Sequence, residues 1–404
     1  MHERSTTQSH ASRLPFSSDS RTPLLVCFSH LRWDFVWQRP QHLLSRAAKQ
    51  YRVLIIEEPM FKPGIRAHMD VSQRPQGVTI AVPMLPEGLS HEDVILEQRE
   101  LVEELIGRDS ASPRIFWYYT PMAMAFSSHL EADVTIYDNM DELSLFRGAS
   151  RELLDLEAAL FARADLVFTG GMSLYEAKRN RHHSVHAFPS SIEFEHFVKA
   201  RSLAEEPEDQ AGIPGPRLGF FGVVDERMDV ELLGQVAELR PDWHFVMIGP
   251  VVKIDPASLP KADNIHWLGS KDYKELPRYL AGWDVGFMNF ALNEATKFIS
   301  PTKTPEFLAA GVPVVSTPIM DVVRPYGEKG LVEIAKTPLE VVRKAEALLA
   351  RPKEPWLQKV DRHLAAGSWD KTWGGMNKLL ADALDGVAES PTTRLPSYAT
   401  TPAE

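Results

Sequence analysis

Apolar runs of strand length alternate along this chain with stretches whose apolar positions recur three and four residues apart. In the first half, buried strands are predicted at residues 24–29, 52–57, 78–83, 114–119, 134–137, 166–169 and 185–188. Helical spacing falls between them at 39–50, 91–107, 151–164 and 173–180. Residues 199–216 carry Glu, Asp, Pro and Gly without periodicity and read as a linker between domains. The alternation then restarts, with strands at 218–224, 244–248, 265–268, 285–290, 313–317 and 331–334. Helices are predicted at 230–239, 276–281, 338–349, 356–366 and 369–384. Strands that alternate with helices need crossover connections, so each half should hold a mainly parallel sheet covered on both faces. The pattern therefore predicts an α/β protein of two doubly wound units with a cleft between them. In such sheets ligands sit beyond the carboxyl ends of the strands, so chemistry is sought in the loops that follow strands.

Composition narrows the partners. The chain has 404 residues, 44% hydrophobic and 25% charged, as in soluble globular proteins. A formal net charge of −11 argues against nucleic acid as a partner, which favours a basic face. Cys27 is the single cysteine, so neither an intrachain disulfide nor a cysteine-based metal cluster can form. There is no apolar run of about 18 residues to span a membrane. Residues 1–21 lack an apolar segment of the secretory kind and read as a disordered leader, and residues 389–404 as a disordered tail. The expected location is cytoplasmic.

The stretch 300–318, SPTKTPEFLAAGVPVVSTP, is the most informative in the chain. Thr304 before Pro305 reads as a helix start, Gly311 as its end, and 313–317 as a strand. Lys303 stands beside the free N–H groups of that start, a place suited to phosphate. The carboxylate of Glu306 can accept two hydrogen bonds from a ribose diol, although a glutamate in a first turn is also favoured by the helix dipole alone. Gly222 and Arg227 belong to the stretch 221–229 at the end of the strand at 218–224: the glycine admits close backbone approach, the arginine can fork onto phosphate.

Two loops of the first half are dense in candidate side chains. In the loop FSHLRWDFVWQRP (28–40), Trp33 and Trp37 can stack on a sugar, and Arg32 and Arg39 can meet phosphate. His30 there suits a general base or a hydrogen-bond donor. In YDNMDE (137–142), Asp138 or Asp141 can deprotonate a hydroxyl. Both residue types also serve turns and caps. Neither His182 nor His183 reads as a metal ligand.

Residues 303–315 resemble the signature of the group 1 (family 4) glycosyltransferases of the GT-B fold. The resemblance extends over most of residues 22–385, and the SHxRWDFVxQRP wording is similar to teichuronic-acid-type surface-polysaccharide glycosyltransferases. It implies two Rossmann-like domains, with 22–198 on the acceptor side and 217–367 binding the nucleotide-sugar. Residues 368–388 would cross back to the first domain. It implies that Gly222, Arg227, Ser300, Thr302, Lys303, Thr304 and Glu306 hold a nucleotide-diphospho-sugar donor, with no cofactor and no metal. Arg32, Trp33 and Arg39 would face the acceptor, a cell-surface glycan or a lipid-linked sugar reached by peripheral contact at the inner membrane face. Asp138, Asp141 or His30 would assist the acceptor hydroxyl. Two positions depart from the family pattern. Phe298 replaces a glutamate, for which Glu294 is the nearby substitute, and Val223 replaces an arginine. The expected activity is that of a hexosyltransferase of polysaccharide biosynthesis. The departures keep open a non-catalytic GT-B subunit, or a nucleotide-sugar epimerase or hydrolase.

Overall fold

The computed structural model describes residues 22–107, 113–146 and 149–389. The expected leader and residues 390–404 of the expected tail lie outside them. The first sheet comprises β1 (Leu24–Ser29), β2 (Arg52–Glu57), β3 (Met60–Lys62), β4 (His68–Gln73), β5 (Val78–Pro86), β6 (Arg114–Tyr118), β7 (Val134–Asn139), β8 (Leu166–Thr169) and β9 (Val185–Ala187). Its order is β3-β5-β2-β1-β6-β7-β8-β9, all parallel except β4, which pairs antiparallel with β5. Every side chain of β1, LLVCFS, is buried, as expected of a central strand covered on both faces. The second sheet comprises β10 (Arg217–Phe221), β11 (His244–Ile248), β12 (Ile265–Gly269), β13 (Val285–Met288), β14 (Val314–Ser316) and β15 (Val332–Ile334). Its order, β12-β11-β10-β13-β14-β15, places the reversal of winding between β10 and β13. The corresponding reversal in the first sheet lies between β1 and β6. Both are the switch points at which such sheets bind ligands.

Three features were not legible in the pattern. β3 continues the line of β2 beyond Pro59: β2 pairs Ile56 with Ala81, and β3 pairs Met60 with Met84 farther along β5. Together with the long β5 it extends past the end of the neighbouring strands, and all three of its side chains are exposed. β4 is half polar, so no apolar run announces it. The stretch read as a linker is not free. It contains a helical turn at Glu208–Ala211, and the carboxamide of buried Gln210 accepts from Trp283 Nε1 at 2.8 Å and donates to the Tyr279 carbonyl at 2.9 Å.

The long helix Trp369–Glu389 follows the second unit yet packs on the first. Trp369, Trp373, Met376 and Leu380 join Leu25, Cys27 and Trp117 in one buried cluster. The Tyr51 hydroxyl donates to Asn377 Oδ1 at 2.7 Å. None of the helices among the described residues is long and apolar enough to cross a membrane.

Candidate functional site

A cleft of about 730 Å³ separates the carboxyl ends of the two sheets, with walls from both. Its second-domain floor is built by the ends of β10, β11 and β13 and by the short helix Lys303–Ala309. The helix starts two residues earlier than Thr304 capping would give, with Thr302 as the flanking residue. Thr304 is wholly buried, its hydroxyl against Met288 Sδ at 3.5 Å, so it is a packing residue and cannot touch a donor. Pro305 is tolerated inside the first turn because N–H groups there have no intrahelical acceptor. The N–H groups of Thr304 and Glu306 reach the carbonyls of Pro301 and Thr302 at 3.3 Å, so the helix start offers its side chains more than its backbone.

Lys303 and Glu306 line the cleft one turn apart. Neither the ammonium nor the carboxylate makes a hydrogen bond or a close ion pair with another described residue. Burial pushes the Glu306 carboxyl up to about 7, against the pull of Lys303. Burial lowers the Lys303 ammonium, against the pull of Glu306. Lys303 owes its position to a missing side chain. A Cβ on Gly222, whose φ is +139°, would lie 2.1 Å from Lys303 Cε, and one on Gly249 would lie 1.8 Å from the Gly222 carbonyl oxygen. Ser300 and Thr302 line the same cleft.

Arg227 also lines it, but its guanidinium forks onto Asp225 at 2.7 to 3.1 Å. It lies 5.7 Å from the centre of the Phe146 ring, and Lys253 lies 5.9 Å from the same ring. Phe146 belongs to the first domain and is thus held between two cations of the second. Asp141, on the same first-domain loop, faces the cleft, and burial raises its carboxyl while Arg227, Arg39 and Lys303 oppose the rise. Val223 lines the cleft at the position of the absent arginine. Glu294 does not substitute for the glutamate absent at 298: it is 70% exposed, paired with Lys297 at 3.7 Å, and outside the cleft lining.

The first-domain wall corrects several expectations. Arg39 and Asp138 are 3% and 0% exposed and locked together, with three hydrogen bonds of 2.9 to 3.2 Å. Arg39 also donates to the Phe188 carbonyl at 2.7 Å. Asp138 is thereby sealed off from an acceptor hydroxyl, and Arg39 has no charge to spare for an acceptor. His30 is outside the cleft lining, with Nδ1 buried and unpartnered among the described residues. Burial, helped by Lys253, pushes its imidazole down to about 4, which makes it a weak base. Arg32 is spent on Glu57 Oε2 at 3.1 Å and on the carbonyls of Glu58 and Pro59. Trp33 lines the cleft but is only 6% exposed, and the exposed ring of this loop is Phe35 at 52%. Trp33 is therefore not free to enter a membrane.

Sequence reading missed the seam that joins the domains. Tyr273, from the loop after β12, stacks on His196 at 4.4 Å and donates its hydroxyl to Glu193 Oε2 at 3.0 Å. Trp37 lies 6.0 Å from Tyr273, and His42 stacks on Trp369 at 4.6 Å. Ser190 donates to the Ser300 carbonyl at 2.6 Å, directly before the Lys303 helix. Asp321 of the second domain accepts the Ser173 N–H at 3.0 Å, capping a helix of the first. A Cβ on Gly171 would sit 2.1 Å from the Asp321 carboxylate. These residues are far apart in the chain, and only the doubled Gly170-Gly171 after β8 hinted at a close approach.

Two parallel sheets wound in this order, with strand ends facing across a cleft, define the GT-B fold. Residues 215–351 match the model of the Glycosyl transferases group 1 family. A Bacillus subtilis (strain 168) glycosyltransferase named for teichuronic acid biosynthesis, TuaH, is 29% identical over 236 residues, 54% of this chain and 59% of the relative. The chain thus spans less than two thirds of the length of the curated relative it matches. Among solved structures, sucrose-phosphate synthase from Thermosynechococcus elongatus superposes with a TM-score of 0.68 at 14% identity, covering 91% of this chain and 100% of the other. An alpha,alpha-trehalose-phosphate synthase (UDP-forming) from Burkholderia xenovorans gives 0.63 at 10% identity, over 89% and 99%. At these identities the likeness establishes the fold.

Proposed function

We propose that this protein is a glycosyltransferase that moves a sugar from a nucleotide-diphospho-sugar to a hydroxyl of a cell-surface polysaccharide or glycolipid. The observation that carries the reading is the Lys303–Glu306 pair, a cation and a carboxylate on one helix turn, both without a hydrogen bond or close ion pair among the described residues and both facing the cleft. Lys303 answers the diphosphate, and Glu306 accepts the ribose hydroxyls. Arg227, released from Asp225, adds a second cation. Fixed cations in a water-poor cleft stabilise the leaving diphosphate as its charge develops, so the reaction needs no metal in this reading. Asp141 is the acid group best placed on the acceptor side. It takes the acceptor proton if the configuration inverts, and orients the acceptor if it is retained.

The test is nucleoside diphosphate release, measured with a panel of nucleotide-sugars with and without a glycolipid extract. Acceptor-dependent release is expected. Binding without release would mark a non-catalytic subunit, and acceptor-independent turnover a hydrolase or epimerase. Lys303→Ala is expected to weaken nucleoside diphosphate binding by about 1.5–3 kcal/mol, the worth of a hydrogen bond to a charged group. Calorimetry on folded variant showing wild-type affinity would remove the diphosphate from this helix.

A further inference from the structure

Four charged side chains meet behind the first-domain wall of the cleft, outside its lining. Lys178, the last residue of the helix Met172–Lys178, places its ammonium 2.6 Å from Glu142 Oε2 and 3.0 Å from Glu157 Oε1. Arg181, the exposed member of the group, meets Glu157 Oε2 at 2.6 Å. Against the penalty of burial, Lys178 and Arg181 hold the Glu157 carboxyl below its ordinary value. Stability does not explain such a group, because well-packed apolar side chains in place of buried charges are often as stable or more so. The better-attested use of buried ion pairs is to fix one arrangement of the chain.

What is fixed here is the loop 140–146, which leaves the end of β7. Side chains of a strand alternate in direction, so Asp138 turns to Arg39 while Tyr137 and Asn139 turn to the opposite face. The Tyr137 hydroxyl donates to Glu157 Oε1 at 3.1 Å. The Asn139 carboxamide donates to that hydroxyl at 2.8 Å and to the Asp141 carbonyl at 2.9 Å. A ring thus closes from the Asp141 carbonyl through Asn139, Tyr137, Glu157 and Lys178 to Glu142. On the other side of Asp141 the backbone has no slack either: a Cβ on Gly170 would lie 2.5 Å from the Met140 carbonyl oxygen.

From this ring we infer that Glu142 and Lys178 are positioning residues, which hold the 140–146 loop in the arrangement that presents the Asp141 carboxylate to the cleft. The inference rests on the transferase reading for what Asp141 does there, while the hold on the loop can be measured without it. Asp321 of the second domain caps the other end of the Lys178 helix, so the hold is tied to the domain seam as well.

Lys178→Met would strand two carboxylates and could fail to fold, so the test changes the loop's own side chain in the 404-residue protein. Glu142→Ala should lower kcat for acceptor-dependent nucleoside diphosphate release about a hundredfold, the scale of a displacement of about 1 Å. Nucleoside diphosphate affinity should stay at the wild-type value. Glu142→Gln keeps an oxygen for Lys178 to hold and should restore the rate to within a few fold. Arg181→Ala strips the outer end of the network; it should lower the melting temperature and leave kcat unchanged. The Leu143 and Leu145 amides donate to the Asp141 and Glu142 carbonyls at 3.1 and 3.0 Å. Their hydrogen exchange should quicken in Glu142→Ala and not in Arg181→Ala. Wild-type kcat and wild-type exchange in Glu142→Ala, or an equal loss of kcat in Arg181→Ala, would overturn the inference. If wild type shows no acceptor-dependent release while Glu142→Ala still frees the loop amides, the transferase reading fails and the anchor stands.

Discussion

In its proposed role Glu306 would set stability and donor binding against each other. Its folded pKa of about 7 lies above the unfolded value of about 4.3. The folded state therefore holds more protons between those limits, and the contribution of this group to stability is lost as pH rises through 7. The ribose contact proposed for Glu306, in contrast, needs the carboxylate. Affinity for an intact nucleotide-diphospho-sugar, whose diphosphate does not titrate near neutrality, is expected to fall as pH drops below 7. In Glu306→Gln that fall should vanish, along with part of the melting-temperature slope between pH 5 and 7. A parallel pH profile in wild type and variant, by calorimetry, would make Glu306 a helix-dipole residue only. Arg39 calls for a different experiment. Removing it strands the buried Asp138 carboxylate, and breaking a buried pair costs about 3–5 kcal/mol. Urea unfolding of Arg39→Ala should show that loss; an unfolding midpoint unchanged from wild type would return Arg39 to the list of acceptor contacts.

Among the elements, the helix Met172–Lys178 is the one whose cap comes from another domain. Asp321→Ala removes an acceptor for its amino end, at a cost of about 0.5–2 kcal/mol, the usual range for losing a cap. Burial raises the Asp321 carboxyl, so acidification should weaken the same contact. Protection of the Ser173 amide in hydrogen exchange reads it directly, and protection equal to wild type in Asp321→Ala would show that the contact is not held in solution. Elements with strong periodicity could be read without the structure: β1, β2, β8, β11 and the helices His91–Gly107 and Val230–Leu239 fall where the apolar pattern puts them. β3 and β4 could not, because exposed or half-polar strands leave no periodic trace. Thr304 was misread for a related reason. A hydroxyl before proline suggests a cap, but the tertiary context buries it against Met288.

At the scale of the whole molecule, the alternation of strands and helices was enough for two doubly wound domains, since it dictates parallel sheets. The cleft wall was not legible, because each partner across it is fixed by long-range docking. Asp138 and Asp141 look alike in YDNMDE, yet one is sealed by Arg39 and the other faces the cleft. No spacing rule separates them.

The helix Trp369–Glu389 sets the order in which the chain can be completed. Four of its side chains fill the core beneath β1 and β6, so the first domain lacks part of its interior until residues 369–389 have been made. Residues 217–367 contain their own sheet, and they can close while the earlier domain still waits. Ribosome-bound chains arrested before residue 369 should therefore expose the Leu25–Trp117 surface to protease, and released chains that include residues 369–389 should bury it. A stop codon just before residue 369 would then damage a domain encoded more than 170 residues upstream, leaving a finished second domain joined to a first domain that cannot complete its fold.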